Sequence, residues 1–226
     1  MVRTQSDKYT VDGRGDYERD WCELLKREKV IAVIRTKDIK EGIALGNAAA
    51  AGGIKLIEIT WNSCQPAEII GHLRSSLPHC PIGTGTILTP DELAAAIETG
   101  VQFCFTPYVN KTLIETAINN RLPMIPGALT PTEIVTAWQM GASCVKVFPV
   151  GALGGVDYIK SLQGPLGDMP LIPTGGVTLD NARDFIEKGA IAVGLSGDLF
   201  PRDLVKDKAW GKITERVRRL KKSLGN

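Results

Sequence analysis

Three charged residues lie in or at the end of apolar runs, and they define the chemistry open to this chain. Lys146 sits in Cys144-Val145-Lys146-Val147-Phe148-Pro149, Glu58 in Leu56-Ile57-Glu58-Ile59-Thr60, and Arg35 follows Val30-Ile31-Ala32-Val33-Ile34. A lysine is almost never fully buried without a partner or a purpose. Desolvation lowers its pKa and makes the amine a nucleophile. The Lys146 stretch by itself is equally compatible with a lysine that snorkels out of a strand end. An interior lysine beside a carboxylate is what Schiff-base chemistry needs. The neutral amine attacks a ketone, the iminium is an electron sink, and the carboxylate moves protons during addition and C–C cleavage. The competing explanation is a buried Glu58–Lys146 salt bridge without chemistry. Three charges at one site favour function, because the desolvation of a buried pair often exceeds its attraction.

Elimination narrows the choice. His72 and His79 are the only histidines. His72 falls in a helical stretch and His79 just before a strand, so a histidine base and a multi-histidine metal site are both disfavoured. Acid–base work falls to a carboxylate, and Glu58 is the one inside a strand. The five cysteines, Cys22, Cys64, Cys80, Cys104 and Cys144, include no C-x-x-C pair, against zinc-ribbon and thioredoxin-type sites. Cys104 and Cys144 read as core residues in a reducing compartment.

Elements that could position these groups recur along the chain. An amphipathic helix is expected over residues 17–29, after a loose polar arm over 1–16. Eight strand–helix units follow. The strands are residues 30–34, 56–60, 82–88, 101–106, 123–127, 144–149, 171–174 and 191–195. The helices begin near Asp38, Gln65-Pro66, Asp91, Asn110, Pro131, Val156, Thr178 and Asp203. The last two are expected to span 178–188 and 203–224. Short strands apolar on both faces imply a parallel sheet covered by helices. Eight units favour a single-domain (β/α)₈ TIM barrel over residues 17–226, with an extra N-terminal helix. No G-x-G-x-x-G follows the first strand, against an open dinucleotide-binding sheet.

In such a barrel, active groups lie at the C-terminal ends of strands. Alternation puts Leu56, Glu58 and Thr60 on one strand face, and Cys144, Lys146 and Phe148 on one face of another. Both sets are expected to point into the barrel. Thr174-Gly175-Gly176-Val177 and Gly194-Leu195-Ser196-Gly197 follow the seventh and eighth strands, where backbone N–H groups commonly hold phosphate. Gly83-Thr84-Gly85-Thr86 is expected to let a substrate carboxylate approach the backbone.

The net charge of +2 gives no case for nucleic acid or an acidic membrane. The basic run Arg216 to Lys222 reads as the exposed face of a last helix. No signal-peptide pattern and no apolar run of about 18 residues is present, so a soluble, cytoplasmic protein is expected.

These motifs, with Phe105-Thr106-Pro107 and Ile125-Pro126-Gly127, resemble in order the class I 2-keto-3-deoxy-6-phosphogluconate and 4-hydroxy-2-oxoglutarate aldolase family, from about Tyr17 onward. The resemblance implies a (β/α)₈ barrel, usually a homotrimer, that cleaves a 2-keto-4-hydroxy acid to pyruvate and an aldehyde, with no cofactor. It makes Lys146 the Schiff-base residue and Glu58 the acid/base. Arg35 and Thr86 would hold the pyruvate carboxylate, Pro107 and Phe148 would shape the imine pocket, and Thr174, Gly175 and Gly176 would face the distal or phosphate end. Two departures stand out. Asn62 replaces the arginine of many members, as in a branch acting on the galactonate epimer. Ser196-Gly197 inverts the usual Gly-Ser. A phosphosugar isomerase is the competing enzyme, but it would need a second carboxylate or a cysteine. A non-catalytic phosphometabolite-binding barrel is the other alternative.

Overall fold

The computed structural model describes residues 16–225. The arm expected over 1–16 lies outside the described residues, apart from Asp16, which begins a helix. The β-branched runs form strands β1 (Val30–Ile34), β2 (Leu56–Thr60), β3 (Ile82–Gly85), β4 (Cys104–Phe105), β5 (Met124–Ile125), β6 (Gly127–Ala128), β7 (Val145–Val147), β8 (Leu171–Pro173) and β9 (Val193–Leu195). The helices are α1 (Asp16–Glu28), α2 (Ile39–Ala51), α3 (Pro66–Ser76), α4 (Pro90–Glu98), α5 (Lys111–Asn119), α6 (Pro131–Gln139), α7 (Val156–Leu166), α8 (Ala182–Glu187), α9 (Arg202–Lys206) and α10 (Trp210–Ser223). Side chains fix several starts. Asp38 and Asn110 cap α2 and α5, while Thr89 with Glu92 and Thr130 with Glu133 form capping boxes at α4 and α6.

All strand pairs are parallel, in the orders β5-β4-β3-β2-β1-β9 and β6-β7-β8. The two ladders join at both ends. A bridge between Thr174 and Gly194 links β8 to β9. At the other seam β5 and β6 are halves of the expected fifth strand, parted at Pro126, which has no N–H to give a ladder. Its carbonyl still accepts from the Lys146 N–H at 2.9 Å. The result is the expected closed (β/α)₈ barrel.

The pleat sorts the apolar residues into two cores. Val30, Ala32, Ile57, Ile59, Val145 and Val147 pack outward among the helices. Ile31, Val33, Leu56, Phe103, Phe105, Ile125, Cys144 and Ile172 fill the interior. Helix α1 adds Trp21, Cys22 and Leu25 to that inner cluster and so plugs one end. Trp21 lies 5.0 Å from Phe103, which stands edge-on to Phe105 at 5.9 Å. That aromatic column forms a dry floor beneath the opposite mouth.

Three expectations change. The helix expected over 203–224 is two helices, α9 and α10, parted at Lys208, whose φ is 51°. The helix expected from Thr178 begins at Ala182, because Thr178 and Asn181 exchange hydrogen bonds between each one's N–H and the other's side chain. Strand β3 stops at Gly85, since Thr86 takes a φ of 61° and turns the chain. Among the described residues, no helix is long and apolar enough to cross a membrane.

Candidate active site

The C-terminal ends of the strands surround a cavity of about 660 Å³. Every candidate residue read from the sequence lines it: Arg35, Glu58, Thr86, Pro107, Lys146, Phe148, Thr174, Gly175, Gly176, Ser196 and Gly197. Residues far apart in sequence meet there because each is in, or immediately after, a strand of the closed barrel. Lys146 is inside β7, paired with Gly127 and Ile172, and Glu58 is inside β2, paired with Val33 and Gly83. His72 lies in α3 and His79 in the loop before β3; neither lines the cavity.

Lys146 is 6% exposed, with Nζ 4.8 Å from the Phe148 ring centroid and 5.7 Å from that of Phe105. Those two ring faces give its cationic form some support. Burial nonetheless pushes the Lys146 pKa below its ordinary 10.5, helped by the positive charge of Arg35 and opposed by Glu58. Glu58 is 1% exposed, and burial raises its pKa above 4.5 against the pull of Lys146 and Arg35. No ion pair within 4.0 Å joins Glu58 to Lys146, and Glu58 Oε1 is buried without a hydrogen-bond partner. The salt-bridge explanation of these charges therefore fails. The two groups share one cavity and are driven together toward a neutral amine and a neutral acid.

The turn after β3 differs from expectation. Gly83 and Gly85 offer no open path to the backbone, because the Phe103 ring and the Glu58 carboxyl fill the space their missing side chains leave. Thr84 faces away and donates to the Ile59 carbonyl at 2.8 Å. Thr86, in its left-handed conformation, holds Oγ1 3.4 Å from an Arg35 guanidinium nitrogen. A β-branched residue pays about 1–3 kcal/mol for such a conformation, so the surrounding structure must hold it there. Across the cavity, Gly175 has φ of 77° and Gly176 of 107°, and a Cβ on Gly175 would lie 3.1 Å from the Phe148 ring. Only glycine fits that turn comfortably.

Sequence reading missed one charged lining residue, Asp198. Its Oδ2 accepts from the Leu179 N–H at 2.8 Å and lies 3.6 Å from the Arg216 guanidinium. The only local signal is its place immediately after Ser196-Gly197. Asn62, also named from the sequence, is exposed and lines the same cavity.

Comparison with known proteins agrees with this geometry. The family model described as "Aldolase: KDPG and KHG aldolase" matches residues 22–216. The 2-dehydro-3-deoxy-phosphogluconate aldolase of Haemophilus influenzae is 34% identical over 197 residues, 87% of this chain and 92% of the relative. The KHG/KDPG aldolase of Escherichia coli is 30% identical over 196 residues, covering 86% and 92% of the two chains. A solved structure described as native KDPGal has a TM-score of 0.79 at 30% identity, with 86% of this chain and 93% of that one covered. A KDPG aldolase from Legionella pneumophila, with pyruvate captured as a covalent carbinolamine, has a TM-score of 0.81 at 26% identity over 88% and 97%. The chain belongs to the KDPG and KHG aldolase family and is a carbon–carbon lyase of the class I, Schiff-base type.

Proposed function

We propose that the protein cleaves 2-keto-3-deoxy-6-phosphogluconate, or a related 2-keto-4-hydroxy acid, to pyruvate and an aldehyde, with Lys146 as the Schiff-base residue and Glu58 as the proton carrier. The observation that carries this is the desolvated amine of Lys146 sharing a cavity with an equally desolvated carboxyl, with no salt bridge between them. The neutral Nζ attacks the C2 ketone, and a proton passes to the former carbonyl oxygen to give a carbinolamine. Glu58 protonates that hydroxyl as it leaves as water, which produces the iminium. The resulting carboxylate takes the proton from the C4 hydroxyl, and the C3–C4 electron pair moves into the iminium. An aldehyde departs, leaving an enamine. Protonation at C3 and hydrolysis then release pyruvate and restore the amine.

Arg35 and Thr86 hold the pyruvate carboxylate, a role that suits a guanidinium and a hydroxyl 3.4 Å apart at the same rim. Pro107 and Phe148 wall the imine. Thr174, Gly175, Gly176, Ser196 and Gly197 line the path of the distal part of the substrate. The enzyme works as a cytoplasmic homotrimer, by family resemblance; sedimentation analysis tests the assembly.

A second reading, cleavage of the galactonate epimer, is favoured by Asn62 and by the 30% identity to the KDPGal structure. Pyruvate release across a panel of 2-keto-4-hydroxy acids of both epimers, with and without the 6-phosphate, decides between them. Borohydride with pyruvate should fix a stable adduct on Lys146. Tight binding with neither adduct nor pyruvate release would make the barrel a binding protein and overturn the proposal.

A further inference from the structure

A second cavity, of about 510 Å³, adjoins the first and shares Val33, Arg35, Ser196 and Gly197 with it. Its outer wall comes from α9, where Arg202 and Lys206 stand four residues apart and so on one helix face. Both are exposed, and among the described residues neither has an ion-pair partner within 4.0 Å. Leu45, Phe200 and Val205 supply an apolar side. The one acid there is Glu41, whose Oε1 already accepts from the Thr36 hydroxyl at 2.7 Å. With Arg35, the chamber thus holds three cations against one carboxylate.

The glycine-turn end of the larger cavity has the opposite character. Its charged side chain is Asp198, while the cations of that cavity, Arg35 and Lys146, stand near the chemistry. Arg216 offsets the Asp198 charge at 3.6 Å but does not itself line the cavity. A substrate reaching from Lys146 past the Ser196-Gly197 threshold therefore meets cations in one direction and a carboxylate in the other.

We infer that the α9 chamber is the subsite for a terminal anionic group on the aldehyde half of the substrate, a phosphate monoester or a carboxylate, held by Arg202 and Lys206. This rests on the larger cavity being the aldolase site. The positive potential also draws such substrates to the mouth, an attraction that salt screens.

The test compares wild type with R202A/K206A on three 2-keto-4-hydroxy acids that differ only in a phosphate, carboxylate or hydroxyl terminus. The ratio of kcat/KM for the anionic acid over the hydroxyl acid should fall about tenfold or more in the variant, through KM rather than kcat. Whichever anionic tail loses more identifies the group the chamber prefers. An unchanged ratio for both tails overturns the inference. If the double variant folds poorly, K206Q with inorganic phosphate as competitor of the hydroxyl acid replaces it, and an unchanged inhibition constant is equally fatal. Failure of the aldolase reading shows itself separately, as no pyruvate from any acid and no borohydride adduct in the wild type. Calorimetric titration of inorganic phosphate into wild type and K206Q then decides whether the chamber binds anions.

Discussion

The Glu58 carboxyl occupies the space that a side chain on Gly85 would need, and its Oε1 has no hydrogen-bond partner there. The barrel thus keeps a carboxyl oxygen unsatisfied next to a glycine on the neighbouring strand. Leaving a buried polar atom unpaired costs about 1–3 kcal/mol. That cost makes sense where the oxygen acquires its partner only when substrate arrives.

Gly85→Ala should push the carboxyl off position without altering its chemistry. A displacement of the order of an ångström costs about 100-fold in rate when proton transfer depends on it. Steady-state kinetics should show that loss mainly in kcat, while borohydride still fixes pyruvate on Lys146 at a reduced rate. Unaltered kcat would mean that Glu58 is not held by this contact.

Lys146→Met should abolish pyruvate release and the borohydride adduct together. The same variant should be more stable by about 1–3 kcal/mol in urea unfolding, because a desolvated amine is replaced by a soft apolar side chain and no salt bridge is broken. Retained retro-aldol activity would refute the Schiff-base mechanism. A large loss of stability would refute the account of Lys146 as a costly buried group.

The lowered Lys146 pKa and raised Glu58 pKa make opposite contributions to stability against pH. Between the native Lys146 value and 10.5 the unfolded chain holds the extra proton, so the lysine contribution makes stability rise with pH. Between 4.5 and the native Glu58 value the native chain holds it, so the carboxyl contribution makes stability fall as pH rises. Urea unfolding over a pH series should show the alkaline rise in wild type and a flatter profile in Lys146→Met.

The pH dependence of amine reactivity follows the same charges. Inactivation by an amine-directed reagent should titrate with a midpoint below 10.5, reporting the neutral form of Lys146. Glu58→Gln should move that midpoint lower, since the Glu58 charge raises the Lys146 pKa; Arg35→Met should move it higher. Shifts in the reverse directions would show that other groups set the titration.

Arg35→Ala should raise KM for the keto acid about 10- to 100-fold, the range for losing a charge-assisted hydrogen bond of about 1.5–3 kcal/mol. The neighbouring Thr86 keeps its left-handed turn through the backbone, so circular dichroism and thermal unfolding should stay close to wild type. An unchanged KM would remove Arg35 from the carboxylate end.

Much of the barrel was legible in the linear chain because its signals are local. Parity along Leu56–Thr60 and Val145–Val147 separates helix-facing from interior side chains, and Asp38, Thr89, Asn110 and Thr130 mark helix starts by their own hydrogen bonds. A lysine and a glutamate with interior parity are sufficient to suggest amine chemistry at the mouth. The chain could not show that β5 and β6 part at Pro126, or that α9 and α10 part at Lys208, since both breaks depend on backbone geometry set by neighbouring elements. Nor could it show that Glu58 and Lys146 stay apart: strand parity fixes which way a side chain points, not how far apart two of them end. Only the closed barrel decided that Gly83 and Gly85 make room for Phe103 and Glu58 rather than for substrate, and that Asp198, Arg202 and Lys206 flank one threshold. Those are contacts between residues distant in sequence, and close packing across the barrel determines them.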